Sequence, residues 1–275
     1  MPYQTLLYDS ADAVATITLN RPDRLNTIVP PMPDELQAAV ERALAEEHVT
    51  VIVLRGAGRS FCAGFDFSGG FHHWDEHLAT GGAWDPGKDF MMATAQALGP
   101  VPKFMSLWRS PKPVIAQVHG ACIAGGLMLA WICDLIVAAD DAFFADPVVR
   151  MGIPGVEYFA HPWVMGPRQA KEFLFLGERI SAARAYELGM VNRVVPRDQL
   201  AGEVSMLAAK IAAMPRLGLA LTKKAVNQAE DAMGLQVGMD SVFGLHHLAH
   251  AHNAETGTDS LAGHDARSMR DRGAS

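Results

Sequence analysis

Short apolar runs and helical apolar stripes take turns along the first two-thirds of the chain. Residues 14–19 mix Ala and Thr with Val, Ile and Leu and stop at Asn20-Arg21-Pro22, which reads as a strand entering a turn. Pro33-Asp34-Glu35 opens a helix that carries Leu36, Ala39, Val40, Ala43 and Leu44 at helical spacing. Val51-Ile52-Val53-Leu54 is a buried strand ending in Gly56-Ala57-Gly58. Residues 60–70 are glycine-rich, and residues 69–89, with Gly among His, Trp and Asp, predict a long loop. The pattern then predicts a helix over 90–108, a strand over 113–118, a helix over 125–133 and a strand over 135–139. Helices follow over 167–177, 181–188, 198–213, 216–231 and 235–254. Strands alternating with helices predict an α/β core in residues 1–200, with residues 201–275 as a separate helical element. Residues 267–275 are expected to fray.

Composition narrows the class. The 275 residues correspond to one large domain or one domain with an appendage. With 49% apolar and only 19% charged residues, the chain has the makings of a large core and none of the marks of disorder. The low charged fraction also points to apolar surface covered by another subunit. A net charge of −7 disfavours nucleic acid, which needs clustered Lys and Arg, so an anionic ligand would rely on local basic groups or helix N-termini. The three cysteines, Cys62, Cys122 and Cys133, make neither a disulfide framework nor a zinc pattern. The longest apolar run, residues 121–133, is too short for a membrane span and reads as core. Met1-Pro2-Tyr3-Gln4 does not begin a signal peptide, so a cytoplasmic setting is expected.

Glycine clusters carry the candidate chemistry. Gly56-Ala57-Gly58-Arg59-Ser60-Phe61 begins like a dinucleotide fingerprint and breaks at Phe61. The chain has no phosphate-loop, nucleophile-elbow or zinc-helix motif. Two other sites say more. Phe61-Cys62-Ala63-Gly64-Phe65-Asp66 follows a strand, and His119-Gly120-Ala121-Cys122-Ile123-Ala124-Gly125-Gly126 joins a strand to a helix. Glycine lets backbone run close to a ligand, and the first N–H groups of a helix lack internal acceptors. Two such N–H groups converging on a carbonyl oxygen would form an oxyanion hole. Close packing of two strand-to-helix turns would demand the same glycines.

The sequence resembles the enoyl-CoA hydratase/isomerase family, the crotonase superfamily. The resemblance rests on Asn20-Arg21-Pro22 with Asn26, residues 61–66, Lys112-Pro113-Val114-Ile115-Ala116 and residues 120–126. It continues through Cys133-Asp134, Gly152-Ile153-Pro154-Gly155, Gly177-Glu178-Arg179-Ile180-Ser181-Ala182 and Gly189-Met190-Val191-Asn192, in the family's order. It implies a spiral of ββα units, a C-terminal helical region that makes a homotrimer or a dimer of trimers, and an acyl-CoA thioester ligand. No cofactor is implied beyond the coenzyme A of the substrate. By position, the oxyanion donors are the N–H groups of Phe65 and Gly125. Ala63, Gly64, Asp66 and Gly126 line the same turns, and Arg24 falls where the family often meets CoA.

Departures from the family's pattern are as informative. The positions of the two hydratase glutamates hold Met128 and Val148 here, and neither side chain exchanges a proton. Glu157 stands where some isomerases and dehalogenases of the superfamily carry a catalytic carboxylate. It reads equally as a carboxylate in the first turn of a helix, favoured by the dipole. Tyr158 and His161 are further candidates that read more simply as packing, and Asp66 as a turn carboxylate. Isomerase- or hydrolase-like chemistry with Glu157 is therefore expected over simple hydration, the alternative being a non-catalytic acyl-CoA-binding protein. His72, His73 and His77, and the group His246, His247, His250 and His252, raise a metal site, but lack acidic or Cys partners at ligand spacing. Trp74 and Trp84 are expected to wall an acyl pocket.

Overall fold

The computed structural model describes residues 2–68, 71–257 and 261. In chain order the strands are β1 (Leu6–Ala11), β2 (Val14–Leu19), β3 (Val51–Gly56), β4 (Ala79–Thr80), β5 (Ala83–Trp84), β6 (Val114–Val118), β7 (Ala121–Ile123), β8 (Leu135–Ala139), β9 (Phe143–Ala145), β10 (Ile180–Ser181) and β11 (Arg193–Val195). The α-helices are α1 (Met32–Ala45), α2 (Pro86–Phe90), α3 (Pro100–Arg109), α4 (Gly125–Ile132), α5 (His161–Met165), α6 (Pro167–Leu176), α7 (Ala182–Glu187), α8 (Leu200–Ala212), α9 (Arg216–Ala232) and α10 (Leu235–Thr256).

Among the described residues, the main sheet runs β1-β2-β3-β6-β8-β11. β1 and β2 form an antiparallel hairpin, whose two-residue turn puts Asp12 and Ala13 at positive φ, and the remaining neighbours are parallel. The apolar run of β3 is buried on both faces. Its even positions, Ile52 and Leu54, join the large core with Leu36 and Val40 of α1 and Phe104 and Leu107 of α3. Its odd positions, Val51 and Val53, meet Leu200, Val204, Leu207 and Ala208 of α8 on the other face. A second sheet, β10-β9-β7, stands beside the first and carries the segment that leads into α4.

The outer helices expose much of their apolar surface. Lys223 is the buried residue of α9, its Nζ reaching Leu107 O (2.9 Å) and Asp134 Oδ2 (2.7 Å), while Leu217, Leu221, Val226, Val237, Leu245 and Leu248 are exposed. Among the described residues no single helix is long and apolar enough to cross a membrane.

Two expectations change. Residues 90–108 are not one helix: α2 gives way to a π-helical turn, Met91–Ala95, Ala97 takes φ 52°, and α3 restarts at Pro100. Proline disfavours helical backbone in the residue before it, so the break falls there. Residues 71–89 are folded, because Gly81 and Gly82, both at positive φ, turn β4 back onto β5. The apolar run at 121–133 is largely buried, as expected, and divides into β7 and α4. The expected fraying of residues 267–275 lies outside the described residues.

Candidate functional site

A single asparagine ties the first turn to the glycine loop. Asn26 is fully buried; its Oδ1 accepts the Arg21 N–H (2.9 Å), and its Nδ2 donates to Ala57 O and Ser60 O (both 2.8 Å). Beyond that knot, the Ile28 N–H donates to Gly64 O (2.8 Å) and the Asp66 N–H to Ile28 O (2.9 Å). These two bonds flank Phe65, so its own N–H points away from Ile28, as in a parallel ladder. Gly64 has φ +94°, and a Cβ there would lie 3.4 Å from the Gly125 N. The glycine loop and the start of α4 are thus neighbours.

The α4 start is built under strain. Ala124 takes φ 48°, ψ −116°, a conformation that a residue with a Cβ rarely adopts. Its N–H is anchored to Ala145 O of β9 (2.9 Å), which leaves Gly125 as the first helical residue. A Cβ on Gly126 would sit 2.1 Å from Cys62 O, so α4 reaches the loop only because position 126 is glycine. Among the described residues neither the Phe65 N–H nor the Gly125 N–H has an acceptor. Two such donors, one at a helix N-terminus, can hold a carbonyl oxygen and stabilise charge that grows on it.

The surrounding side chains divide into supports and apolar walls. Asp66 accepts from Arg21 (Nη2, 3.2 Å), Thr27 (3.1 Å) and the Ser68 N–H (3.1 Å). Burial alone would raise its pKa, but the bonds from Ser68, Thr27 and Arg21 outweigh it and hold the carboxyl below its usual value. It is a turn carboxylate. Arg24 is exposed beside Leu25, whose carbonyl accepts the Ala63 N–H (3.1 Å). Met128, fully buried, and Val148, in the 3-10 turn Pro147–Met151, are apolar core residues. Burial pushes the Cys62 thiol far up, which removes it as a nucleophile.

Glu157 lies in the irregular loop before α5. That helix starts at His161 with Ala160 as its cap, so Glu157 is not a first-turn carboxylate. The loop is held from below by Asp146, fully buried, whose Oδ2 accepts from the Val156 N–H and from His161 Nε2 (both 3.0 Å). Since Ala145 O anchors Ala124, consecutive residues of one strand end fix both the α4 start and the Glu157 loop. Burial raises the Glu157 pKa most, its own backbone N–H lowers it, and Asp89 raises it further, to about 7. Across from it, His246 Nε2 is 3.8 Å from Glu157 Oε1.

The 71–95 segment closes both ends of this arrangement. Trp74 is fully buried against Phe65 (centroids 5.6 Å apart, edge to face) and donates to Asp66 O (3.2 Å). Trp74 therefore braces the loop and lines no open pocket. Trp84 packs on His250 (4.9 Å) and donates to Asp89, which lies 3.2 Å from His247. The remaining candidates are absorbed elsewhere. Tyr158 is buried against Trp108, His161 pairs with Asp146, and His77 contacts Asp34 and Lys103. His246 and His250 bond each other. Asp146 and Asp89 were not singled out by the sequence; the one signal was the Asp-Pro step that enters the 3-10 turn.

A mixed parallel sheet, a smaller sheet leading into α4, and a helical tail make this the crotonase fold. Residues 9–262 match the family model for enoyl-CoA hydratase/isomerase, and the chain belongs to that family. It is 40% identical over 271 residues to a putative enoyl-CoA hydratase of Mycobacterium tuberculosis, covering 92% of this chain and 83% of the relative. It is 34% identical to the 1,2-epoxyphenylacetyl-CoA isomerase of Escherichia coli, covering 79% of each. Among solved structures, a probable enoyl-CoA hydratase from Mycobacterium smegmatis superposes with a TM-score of 0.83 at 42% identity, covering 93% of this chain and 98% of that one.

Proposed function

We propose that this protein binds an acyl-CoA thioester, whose carbonyl oxygen accepts hydrogen bonds from the Phe65 and Gly125 N–H groups, and that Glu157 moves the proton. The observation that carries the reading is the pair of acceptor-free N–H groups brought together by Gly64, Ala124 and Gly126. The family and the CoA-thioester names of its relatives support the ligand class. Negative charge on the thioester oxygen, as an enolate or tetrahedral species, would be stabilised by about 3–4 kcal/mol per donor.

Which reaction follows depends on proton carriers. With Met128 and Val148 at the usual glutamate positions, no pair of carboxylates brackets a substrate double bond to activate water. A single carboxyl near neutrality can take a proton at one carbon and return it at another, which is isomerisation, or assist hydrolysis. Ala63, Gly64, Asp66 and Gly126 shape the carbonyl end, Met128 and Val148 face the acyl group, and Arg24 meets the CoA portion. The exposed leucines and valines of α9 and α10 support closure against further copies, as a homotrimer or a dimer of trimers. A panel of CoA thioesters followed by mass spectrometry tests the reading: Glu157→Gln abolishes turnover and leaves binding intact. Unchanged kinetics would remove Glu157 from the mechanism. Met128 and Val148 also favour a second reading, a non-catalytic acyl-CoA-binding protein, for which every thioester binds and none is converted.

A further inference from the structure

Two adjacent residues at the end of β9 hold the two halves of the site, each through a different kind of atom. The main-chain oxygen of Ala145 accepts the Ala124 N–H (2.9 Å), which sets the start of α4 and with it the Gly125 donor. The side chain of Asp146 accepts the Val156 N–H (3.0 Å), in the residue just before Glu157. One residue further back, Gly155 O accepts from His246 Nδ1 (3.1 Å). The chain entering Glu157 is thus pinned at successive residues, from β9 on one side and α10 on the other. His161 fixes the Asp146 carboxylate in turn. Its Nε2 donates to the same oxygen, Oδ2 (3.0 Å), while Oδ1 has no hydrogen-bond partner among the described residues. The His161 ring is fully buried, edge to face with Trp131 of α4 (centroids 4.7 Å apart) and beside Phe159 (4.7 Å) and Phe173 of α6 (6.1 Å). Rotating the Asp146 side chain would therefore break two bonds at once. Taking a carboxylate out of water is expensive, and an apolar residue of similar size would fill this position at lower cost. It would not accept the Val156 N–H.

We propose that Asp146, held by His161, is a positioning residue that sets where the Glu157 carboxyl stands relative to the Phe65 and Gly125 N–H groups. This rests on the reading of Glu157 as the proton carrier and of the two N–H groups as the carbonyl's partners. Ala145 acts through its main chain and Asp146 through its side chain. A substitution at 146 therefore releases the Glu157 loop and leaves the donor pair in place. Carbonyl polarisation and proton transfer become separable. A displacement of about 1 Å in a reacting group lowers the rate by about 10²-fold.

The test compares Asp146→Ala, which accepts nothing, with Asp146→Asn, which keeps a carbonyl oxygen for the Val156 N–H. Both are full-length and studied at a temperature where circular dichroism shows them folded. Steady-state kinetics give kcat and KM on a thioester that wild type converts, and infrared spectroscopy gives the carbonyl stretch of a bound carbonyl-13C acyl-CoA. In Asp146→Ala, kcat falls about 10²-fold while KM and the stretch keep their wild-type values. In Asp146→Asn all three stay near wild type. Wild-type kcat in folded Asp146→Ala overturns the proposal. So does an Asp146→Ala stretch that moves to its value in water, because a merely structural role would disturb the donors together with Glu157. Where Asp146→Ala does not fold, His161→Leu puts the same question against His161→Gln, which keeps an N–H to give Asp146, and the same kcat and stretch decide. Failure of the Glu157 reading shows separately, as Glu157→Gln that still turns over, and failure of the donor reading as a wild-type stretch that matches water.

Discussion

Replacing Gly126 by alanine probes how the two donors are held together. A Cβ at 126 would lie 2.1 Å from Cys62 O and 2.7 Å from Cys62 C, where ordinary contact begins near 3.4 Å. Backbone is on both sides, so the loop and α4 must part by roughly 1 Å, a shift set by ordinary carbon–oxygen contact distances. The retreat strains the Ile123 N–H bond to Cys62 O (3.0 Å) and moves Phe65, three residues on, relative to Gly125. Overpacking of this kind destabilises by about 1–3 kcal/mol. Losing the alignment of one donor lowers kcat ~10²–10³-fold, with KM nearly unchanged because the bond strengthens only as charge develops. The assay is steady-state kinetics on a thioester that wild type converts, beside circular dichroism and a urea midpoint. Gly202→Ala is the control, since nothing lies within 4 Å of that position in α8, and it stabilises by about 0.5–1 kcal/mol. Wild-type kcat in folded Gly126→Ala would show that catalysis does not depend on the close approach of α4 to the glycine loop.

Further outcomes follow from the same contacts. Glu157 ionises near 4.5 when unperturbed and near 7 in the fold, so between those values the folded state binds more protons and stability falls as pH rises. At about 1.4 kcal/mol per unit this amounts to up to ~3 kcal/mol, and Glu157→Gln gains on wild type by that order at pH 8 and by least at pH 4, measured by urea unfolding. A step in which the Glu157 carboxylate abstracts a proton speeds up as pH rises through about 7 and then levels off, seen in a kcat profile. Asp146→Ala leaves His161 and the Val156 N–H without their acceptor and destabilises by about 3–5 kcal/mol in the same unfolding assay. Trp74→Ala, which opens a cavity under Phe65, destabilises by about 3–5 kcal/mol and exposes the 71–95 segment to limited proteolysis.

What the sequence revealed and what it hid have physical causes. The strands at 51–54 and 135–139 and the helix at 125–132 were legible because a both-face-buried strand is a run of branched apolar residues, and a helix start against a loop demands glycine. Phe65 and Gly125 were named from the resemblance, and the close approach of the glycines beside them is what the fold adds. Short strands such as β7 and β10 were not, because three or two residues carry no period. Glu157 was named by position, but its setting was not legible: Asp89 is 68 residues before it and His246 is 89 after it, so proximity exists only in the fold. The helical spacing of His246 and His250 was visible, yet spacing alone does not distinguish a metal pair from a hydrogen-bonded pair. The 71–89 segment carried its hairpin signal at Gly81-Gly82, outweighed in the pattern by its polar and aromatic surroundings.

The central claim is that the Phe65 and Gly125 N–H groups receive a thioester carbonyl. Isotope-edited infrared spectroscopy of a carbonyl-13C acyl-CoA bound to the protein measures this directly. The expected result is a carbonyl stretch at lower wavenumber than for the same thioester in water, with the shift reduced in Gly126→Ala. A bound thioester whose stretch matches that in water, in wild type, would contradict it.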